Sequence, residues 1–264
     1  MSSIVISKIR QKQIADLIAS GKRLDERGPT DYREIKVETG FIGKAEGSAL
    51  VHIGRTKVLC GVKIELGEPF SDRPNDGVLT VNSEFVALAS PEFEPGRPGE
   101  ESIELARVVD RGIRESKVID LEKLCIIPGK TVFVIFVDIY VLNHDGNLID
   151  TAALASLAAL LNTKIFNYKL KEDGEVEIVP GFNQLPVQNH PIAITFAKID
   201  GKLIVDPWLD EEKVMDTRLT VTFDKDGKIC AMQKGGQGVL TKDQTLEAIS
   251  VGKQKADEIR KLVV

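Results

Sequence analysis

Arg107, Arg111 and Arg114 are spaced to share one side of a helix. At about 100° per residue they fall within roughly 60° of one another, and Leu105, Val109 and Ile113 fall opposite. The stretch from Glu100 to Lys117 therefore predicts an amphipathic helix with a buried apolar face and a row of guanidiniums outside. A guanidinium is a planar fork of donors that can hold two oxygens of one phosphodiester, so the row suits a nucleic-acid backbone. Arg97, in the loop from Ser90 to Gly99 with its three prolines and two glycines, adds a fourth candidate contact. The same spacing admits a plainer reading. Glu104 with Arg107, Asp110 with Arg114, and Arg111 with Glu115 would pair along the helix as a solvated charged face.

A second candidate cluster is acidic: Asp206, Asp210, Glu211 and Glu212, followed by Asp216. Five such acids could hold Mg²⁺ through oxygen ligands; the alternative is a solvated loop between two strands, with Asp216 near a turn. Gly235-Gly236-Gln237-Gly238 looks like a phosphate cradle but lacks the lysine and hydroxyl of a P-loop, and reads as a turn before a helix. The three cysteines, Cys60, Cys125 and Cys230, lie in apolar strand-like contexts without CxxC spacing, and the three histidines are scattered. No metal site and no cofactor are expected, and the thiols read as buried ones of a reducing cytosol. Trp208, Phe133 and Phe136 read as core side chains rather than stacking platforms for bases.

These side chains need a frame. Ile9, Ile14, Leu17 and Ile18 at helical spacing, with Gly21 where a cap would stand, predict a helix from Ser7 to Gly21. Alternating apolar residues then predict strands through Ile35 and Val37, Ala49 to Ile53, Val58 to Val62, and Val78 to Leu88, with glycines as turns. Pro128-Gly129 precedes an apolar strand from Thr131 to Leu142. Asp145-Gly146 is a tight-turn signal ahead of an Ala/Leu-rich helix from Asp150 to Leu161, whose small residues on several faces place it inside the molecule. After a polar segment from Lys169 to Glu177, strands are expected at Pro191 to Lys198, Lys202 to Val205, Arg218 to Phe223 and Lys228 to Gln233. Thr241 and Gln244 form a capping-box pattern opening a closing helix with Leu246, Ile249, Ala256 and Ile259. Two β-then-α halves make an α+β protein. The expected divisions are residues 1–31 as a helix and lead-in, 32–166 as a first domain and 188–260 as a second.

The chain has 264 residues, 42% hydrophobic and 28% charged, with a net charge of −5. It is long enough for one large or two modest domains. The acidic balance excludes a generic nucleic-acid coat but not a local basic stripe. No apolar run approaches the ~20 residues of a membrane span. Met1 to Lys22 lacks the continuous apolar core of a signal peptide, so a cytoplasmic protein is expected.

Several patterns together resemble the ribonuclease PH family, and within it the non-catalytic subunits of archaeal exosomes. They are Arg23-Leu-Asp-Glu-Arg27, Ala45-Glu-Gly-Ser-Ala-Leu-Val51 with Gly54-Arg-Thr-Lys-Val58, and Ile103-Glu-Leu-Ala-Arg-Val-Val-Asp-Arg111. Leu154-Ala-Ser-Leu-Ala158 and the stretch from Ile204-Val-Asp-Pro207 to Asp216 continue the match in the family's order. The resemblance implies a ring-forming ribonuclease-PH-like fold (ribosomal protein S5 domain 2-like) and a chemistry in which phosphate attacks the 3′-terminal linkage of RNA. It also implies that arginines matching Arg107 and Arg111 face a partner's active site.

Active members hold the attacking phosphate with a Gly-Thr/Ser-Arg element before the central helix. Alignment on that helix puts Asn147 at the hydroxyl position and Leu148 at the arginine position. Asp150 is expected to cap the helix with its own carboxylate, where an anion would otherwise bind. The phosphate site at Asn147, Leu148 and Asp150 is thus read as lost. The chain is expected to lack catalytic residues and to contribute Arg107, Arg111, Arg114 and Arg97 to binding single-stranded RNA. Its expected partners are a catalytic paralogue, forming three heterodimers in a hexameric ring, and RNA-binding cap subunits. Two alternatives stay open: an active phosphorolytic exoribonuclease using Asp206 and Asp216, and a ring-free RNA-binding module.

Overall fold

In the computed structural model, which describes residues 8–171 and 175–264, the chain opens with α1 (Lys8–Ala19). The expected start at Ser7, like Met1 to Ile6 and the middle of the polar segment, lies outside the described residues. Gly21, at φ 77°, ends the helix, its N–H donating to the Ile18 carbonyl while Lys22 donates to Leu17. That is the left-handed turn a Cβ would oppose. Ile14 and Ile18 are buried against Ala197, Ile199 and Ile204, but Ile9 is 83% exposed. Only the second half of α1 buries apolar side chains on the body, so the expected four-residue apolar face is shorter.

There follow β1 (Ile35–Thr39), β2 (Gly47–Ile53), β3 (Thr56–Gly67), β4 (Val78–Phe85), α2 (Glu100–Glu115), β5 (Cys125–Ile127), β6 (Thr131–Asn143) and α3 (Leu148–Leu161). The first sheet has the order β1-β2-β3-β6-β4, with β5 alongside β6. Only β4 runs parallel to its neighbour. Val58, Cys60, Val62 and Ile64 of β3 and Ile135, Val137, Ile139 and Val141 of β6 are buried, the period of two that puts alternate side chains on one face. The β4 strand ends before the expected Leu88, which sits in a single 3₁₀ turn and is exposed.

The chain then builds β7 (Lys164–Leu170), β8 (Val176–Gln184), β9 (Ile192–Ile199), β10 (Lys202–Val205), α4 (Leu209–Glu212), β11 (Thr217–Phe223), β12 (Ile229–Gly235) and α5 (Lys242–Arg260). The second sheet has the order β10-β9-β11-β12, and β7 pairs with β8 alone. Where a polar spacer was expected there is this antiparallel hairpin, tied by Tyr168 and Phe166 packing edge-on to Phe133. Thr241 caps α5 through Gln244 as its sequence predicts. Its buried face is Ala248, Gly252, Ala256 and Ile259, while Leu246 is exposed. Gly252 is closest to Phe223, and only a residue without a side chain lets α5 lie that near the sheet.

The α3 helix joins the halves. It is buried from Ile149 to Ala152 and from Leu154 to Leu160, and packs on β2 and β3 of one sheet, β9 of the other, and α2. A helix that is apolar all round has to sit in such a core, and truncating Leu154, Leu157 or Leu160 to alanine should cost about 2–5 kcal/mol each. Of the cysteines expected inside, Cys60 is buried and its thiol is pushed up to about 12 by burial. Cys125 and Cys230 are half-buried, as are Phe136 and Trp208. Phe133 is in the core. Among the described residues no helix is long and apolar enough to cross a membrane.

Candidate nucleic-acid interface

The α2 helix buries Leu105, Val109 and Ile113 against β4, α3 and β12, which leaves its other face outside. Arg107 and Arg111 are exposed there. They border two grooves, of about 310 Å³ beside Ile103, Glu104 and Gln233 and about 370 Å³ beside Leu79, Thr80 and Arg114. The pairing pattern that would have neutralised the face is largely not formed. Glu104 binds Arg218 instead of Arg107, which has no polar partner among the described residues. Arg111 donates to Gln233 Oε1 at 3.1 Å rather than to Glu115.

Arg114 differs from its neighbours. Its Nη2 lies 2.7 Å from Asp110 Oδ1 and donates to the Leu79 carbonyl at 3.1 Å. It is a tie between α2 and β4, so the row of three expected free guanidiniums is a row of two. Arg97 is exposed in the loop before α2. The foot of that loop is pinned, with Phe93 against Phe85 at 4.7 Å and stacked on His144 at 5.5 Å, and Glu92 bound to Lys213. Burial pushes His144 down to about 4, so the stack holds a neutral ring at neutral pH.

At the other expected site, α3 begins at Leu148, two residues before the predicted start, and its cap is Asn147 in the left-handed region at φ 53°. Asp150 is therefore in the first turn and is not the N-cap. Its carboxylate turns inward, accepting from the Tyr32 hydroxyl at 2.7 Å, the Thr195 N–H and hydroxyl, and Asn147 Nδ2 at 2.9 Å. The free amide at the helix end, Asn147 N, donates to Glu212 Oε1 at 2.8 Å. Leu148 brings no charge. Burial dominates at both acids, pushing Asp150 up to about 6 and Glu212 up to about 7 despite the hydrogen bonds they accept.

The acidic segment is not the solvated loop expected of it. Asp206 has no exposed surface. It accepts from Arg33 N and Nε at 2.9 Å each, Arg33 Nη2 at 2.7 Å, Arg27 Nη1 at 2.8 Å and Asn147 Nδ2 at 2.8 Å. Burial alone would raise its carboxyl, but Arg33 and Asn147 more than offset that and hold it below the usual range. Glu211 is buried against Arg23, whose guanidinium also holds the Val205 and Asp206 carbonyls. Asp210 pairs with Arg10. Only Asp216 is exposed, beside the glycine turn whose Gly238 N–H donates to its carbonyl. Among the described residues no three His, Cys, Asp or Glu side chains converge as a metal site.

Sequence reasoning missed Tyr32, Arg33 and Thr195 as members of this cluster. The one available signal was charge: Arg23, Arg27 and Arg33 before β1 match the later run of acids, which has to be neutralised if it is buried.

The profile of the 3′ exoribonuclease family, domain 1, matches residues 31–165, and that of domain 2 matches residues 189–255. The chain is 54% identical over 261 residues to the exosome complex component Rrp42 of Pyrococcus horikoshii, covering 98% of this chain and 95% of that one. It is 48% identical over 256 residues to the component of the same name from Methanothermobacter thermautotrophicus, covering 97% and 94%. Among solved structures it superimposes on a chain of the Archaeoglobus fulgidus exosome with RNA bound to the active site. There the TM-score is 0.89 at 44% identity, with 96% of this chain and 97% of that one covered. A chain of an archaeal exosome core matches with TM-score 0.84 at 41% identity over 96% and 95%. The fold is therefore the ribonuclease-PH-like α+β fold.

Proposed function

The chain belongs to the 3′ exoribonuclease family, and from that premise we propose that it is the non-catalytic subunit of an archaeal exosome, a phosphorolytic 3′-to-5′ exoribonuclease complex. The names carried by its relatives support the complex. The observation that carries the non-catalytic part is the end of α3. Leu148 stands where an arginine would hold phosphate, and Asp150, Asp206 and Glu212 crowd the cap residue Asn147. An incoming phosphate would meet carboxylates instead of donors. Asp206 is engaged by five donor contacts and shut from solvent, so it is not available as a general acid.

The chain's own work is to complete a hexameric ring of three heterodimers with a catalytic paralogue, under RNA-binding cap subunits, in the cytoplasm. Its domains are residues 32–166 and 188–260, after the lead-in 1–31. Arg107 and Arg111 hold the backbone of single-stranded RNA beside the partner's active site, with Arg97 as an outer contact and Arg114 holding the helix that presents them. That Arg107 has no neutralising partner among the described residues favours this over a solvated charged face, because such a guanidinium is ready to take a phosphate. The deciding experiment measures nucleoside diphosphate release from single-stranded RNA with phosphate present. Release is expected from the complex with the paralogue and not from this chain alone; release by the chain alone refutes the non-catalytic reading.

A further inference from the structure

Asp206 is held as a bound anion is held. Its backbone has φ 46°, a left-handed conformation that residues with a Cβ adopt at a cost. The donors around its carboxylate come from elsewhere in the chain: Arg27 and Arg33 from the segment before β1, and Asn147 from the cap of α3. The set is larger than a carboxylate needs. Arg27 Nη2 is buried and has no acceptor among the described residues. Two oxygens leave it idle, whereas a tetrahedral oxyanion presents four.

Other charges face the same place. Asp25 takes Arg27 Nε at 2.7 Å, and Asp145 lies 3.7 Å from Arg33. Glu212 also acts on Arg33, its own carboxyl pushed up to about 7 by burial, and Asp150 shares the Asn147 Nδ2 donor at 2.9 Å.

We propose that Arg27, Arg33 and Asn147 form an oxyanion site whose resident is the Asp206 carboxylate, and that inorganic phosphate can enter it only when that carboxylate is removed. This deepens the non-catalytic reading and rests on it: phosphate is kept out by an internal occupant as well as by the missing arginine. Asp206→Gly is the direct test, because glycine adopts φ 46° freely and its loss of side chain opens the space. Asp206→Asn, which keeps the volume and drops the charge, is the second variant.

Thermal unfolding of the full chain at pH 6 is followed in sodium phosphate and in sodium chloride of equal ionic strength. At a phosphate concentration 100 times Kd, binding to the folded state alone raises the folded-to-unfolded ratio about 100-fold. The expected result is a saturable, phosphate-specific stabilisation of Asp206→Gly that the wild type lacks and that a further Arg27→Gln abolishes. If Asp206→Gly is unfolded in chloride, refolding in phosphate is the same positive result. If neither variant gains more from phosphate than the wild type does, folded or not, the proposal is overturned. Nucleoside diphosphate release by the isolated wild type would instead sink the non-catalytic reading, and it is read in a separate assay.

Discussion

Replacing Arg107 and Arg111 together by alanine removes two guanidiniums from the open face of α2 while leaving Leu105, Val109 and Ile113 in place. The only bond among the described residues that is lost is Arg111 to Gln233, between exposed side chains, so the loss in stability should be within about 0.5 kcal/mol. The effect on RNA follows from counterion release. Each phosphate contact on a single strand contributes a slope of about −0.7 to log K against log salt. Two lost contacts should make the slope of the assembled complex shallower by about 1.4. Taking 1 M salt as the point where that contribution vanishes, affinity should fall roughly 25-fold at 0.1 M and roughly fivefold at 0.3 M. The loss should be similar for different RNA sequences, because phosphates carry none. Fluorescence anisotropy across a salt series measures both quantities. Arg114→Ala is the contrast: it breaks the ties to Asp110 and Leu79 and should lower the unfolding temperature more than it changes the salt slope. An unchanged slope and affinity in the Arg107→Ala, Arg111→Ala complex would refute the contact role.

Three further outcomes are expected. Leu148→Arg should not give the isolated chain phosphorolytic activity, since Asp150 and Glu212 still crowd the helix end; nucleoside diphosphate release from RNA checks it. Asp150 has its carboxyl raised from 3.8 to about 6 by burial, so the folded state binds more protons than the unfolded one in that window. Stability should then fall as pH rises from roughly 4 to 6, by on the order of 3 kcal/mol. Asp150→Asn should flatten that part of the urea-midpoint profile, and identical profiles would contradict it. Gly146→Ala should destabilise the chain by at least ~2 kcal/mol, because φ is 88° and a Cβ would lie 2.5 Å from the Trp208 carbonyl carbon. Calorimetry of the variant gives the answer.

The pattern of apolar residues made most of the frame legible before any coordinates. Period two in β3 and β6, the capping box at Thr241, and the apolar run of α3 are local signals, and each element is present there, with α3 starting two residues early. The β7–β8 hairpin escaped because β8 is largely exposed on both faces and β7 buries only Ile165, which leaves little alternation to read. On α5, Ile249, Ala256 and Ile259 pack inward as their spacing suggests, but Leu246 was counted with them and the small Ala248 and Gly252 were not. A close helix–sheet contact selects small residues, while Leu246 looks more apolar and stays outside. At the site, α2 was readable because its arginines follow one another on a single helix. The cluster around Asp206 was not, since Arg27, Arg33, Asn147 and Asp206 are separated by as many as 179 residues and meet only through the fold. Asp150 was misplaced by two residues of helix boundary: a carboxylate near a helix start looks like a cap until Asn147 is seen in the left-handed turn.

Because α3 is walled by β2 and β3 on one side and β9 on the other, neither half owns its own interior. A cut in the hairpin region would strip the wall contributed by β9 from the fragment that keeps α3. The remaining fragment would lose the helix on which its sheet rests. Two segments that look separable along the chain therefore form one folding unit, and substitutions on α3 are answerable to both sheets at once. Modularity in such a chain ends at the level of the loops: length can be added at the turns, but a half cannot be exchanged without recasting the helix between them.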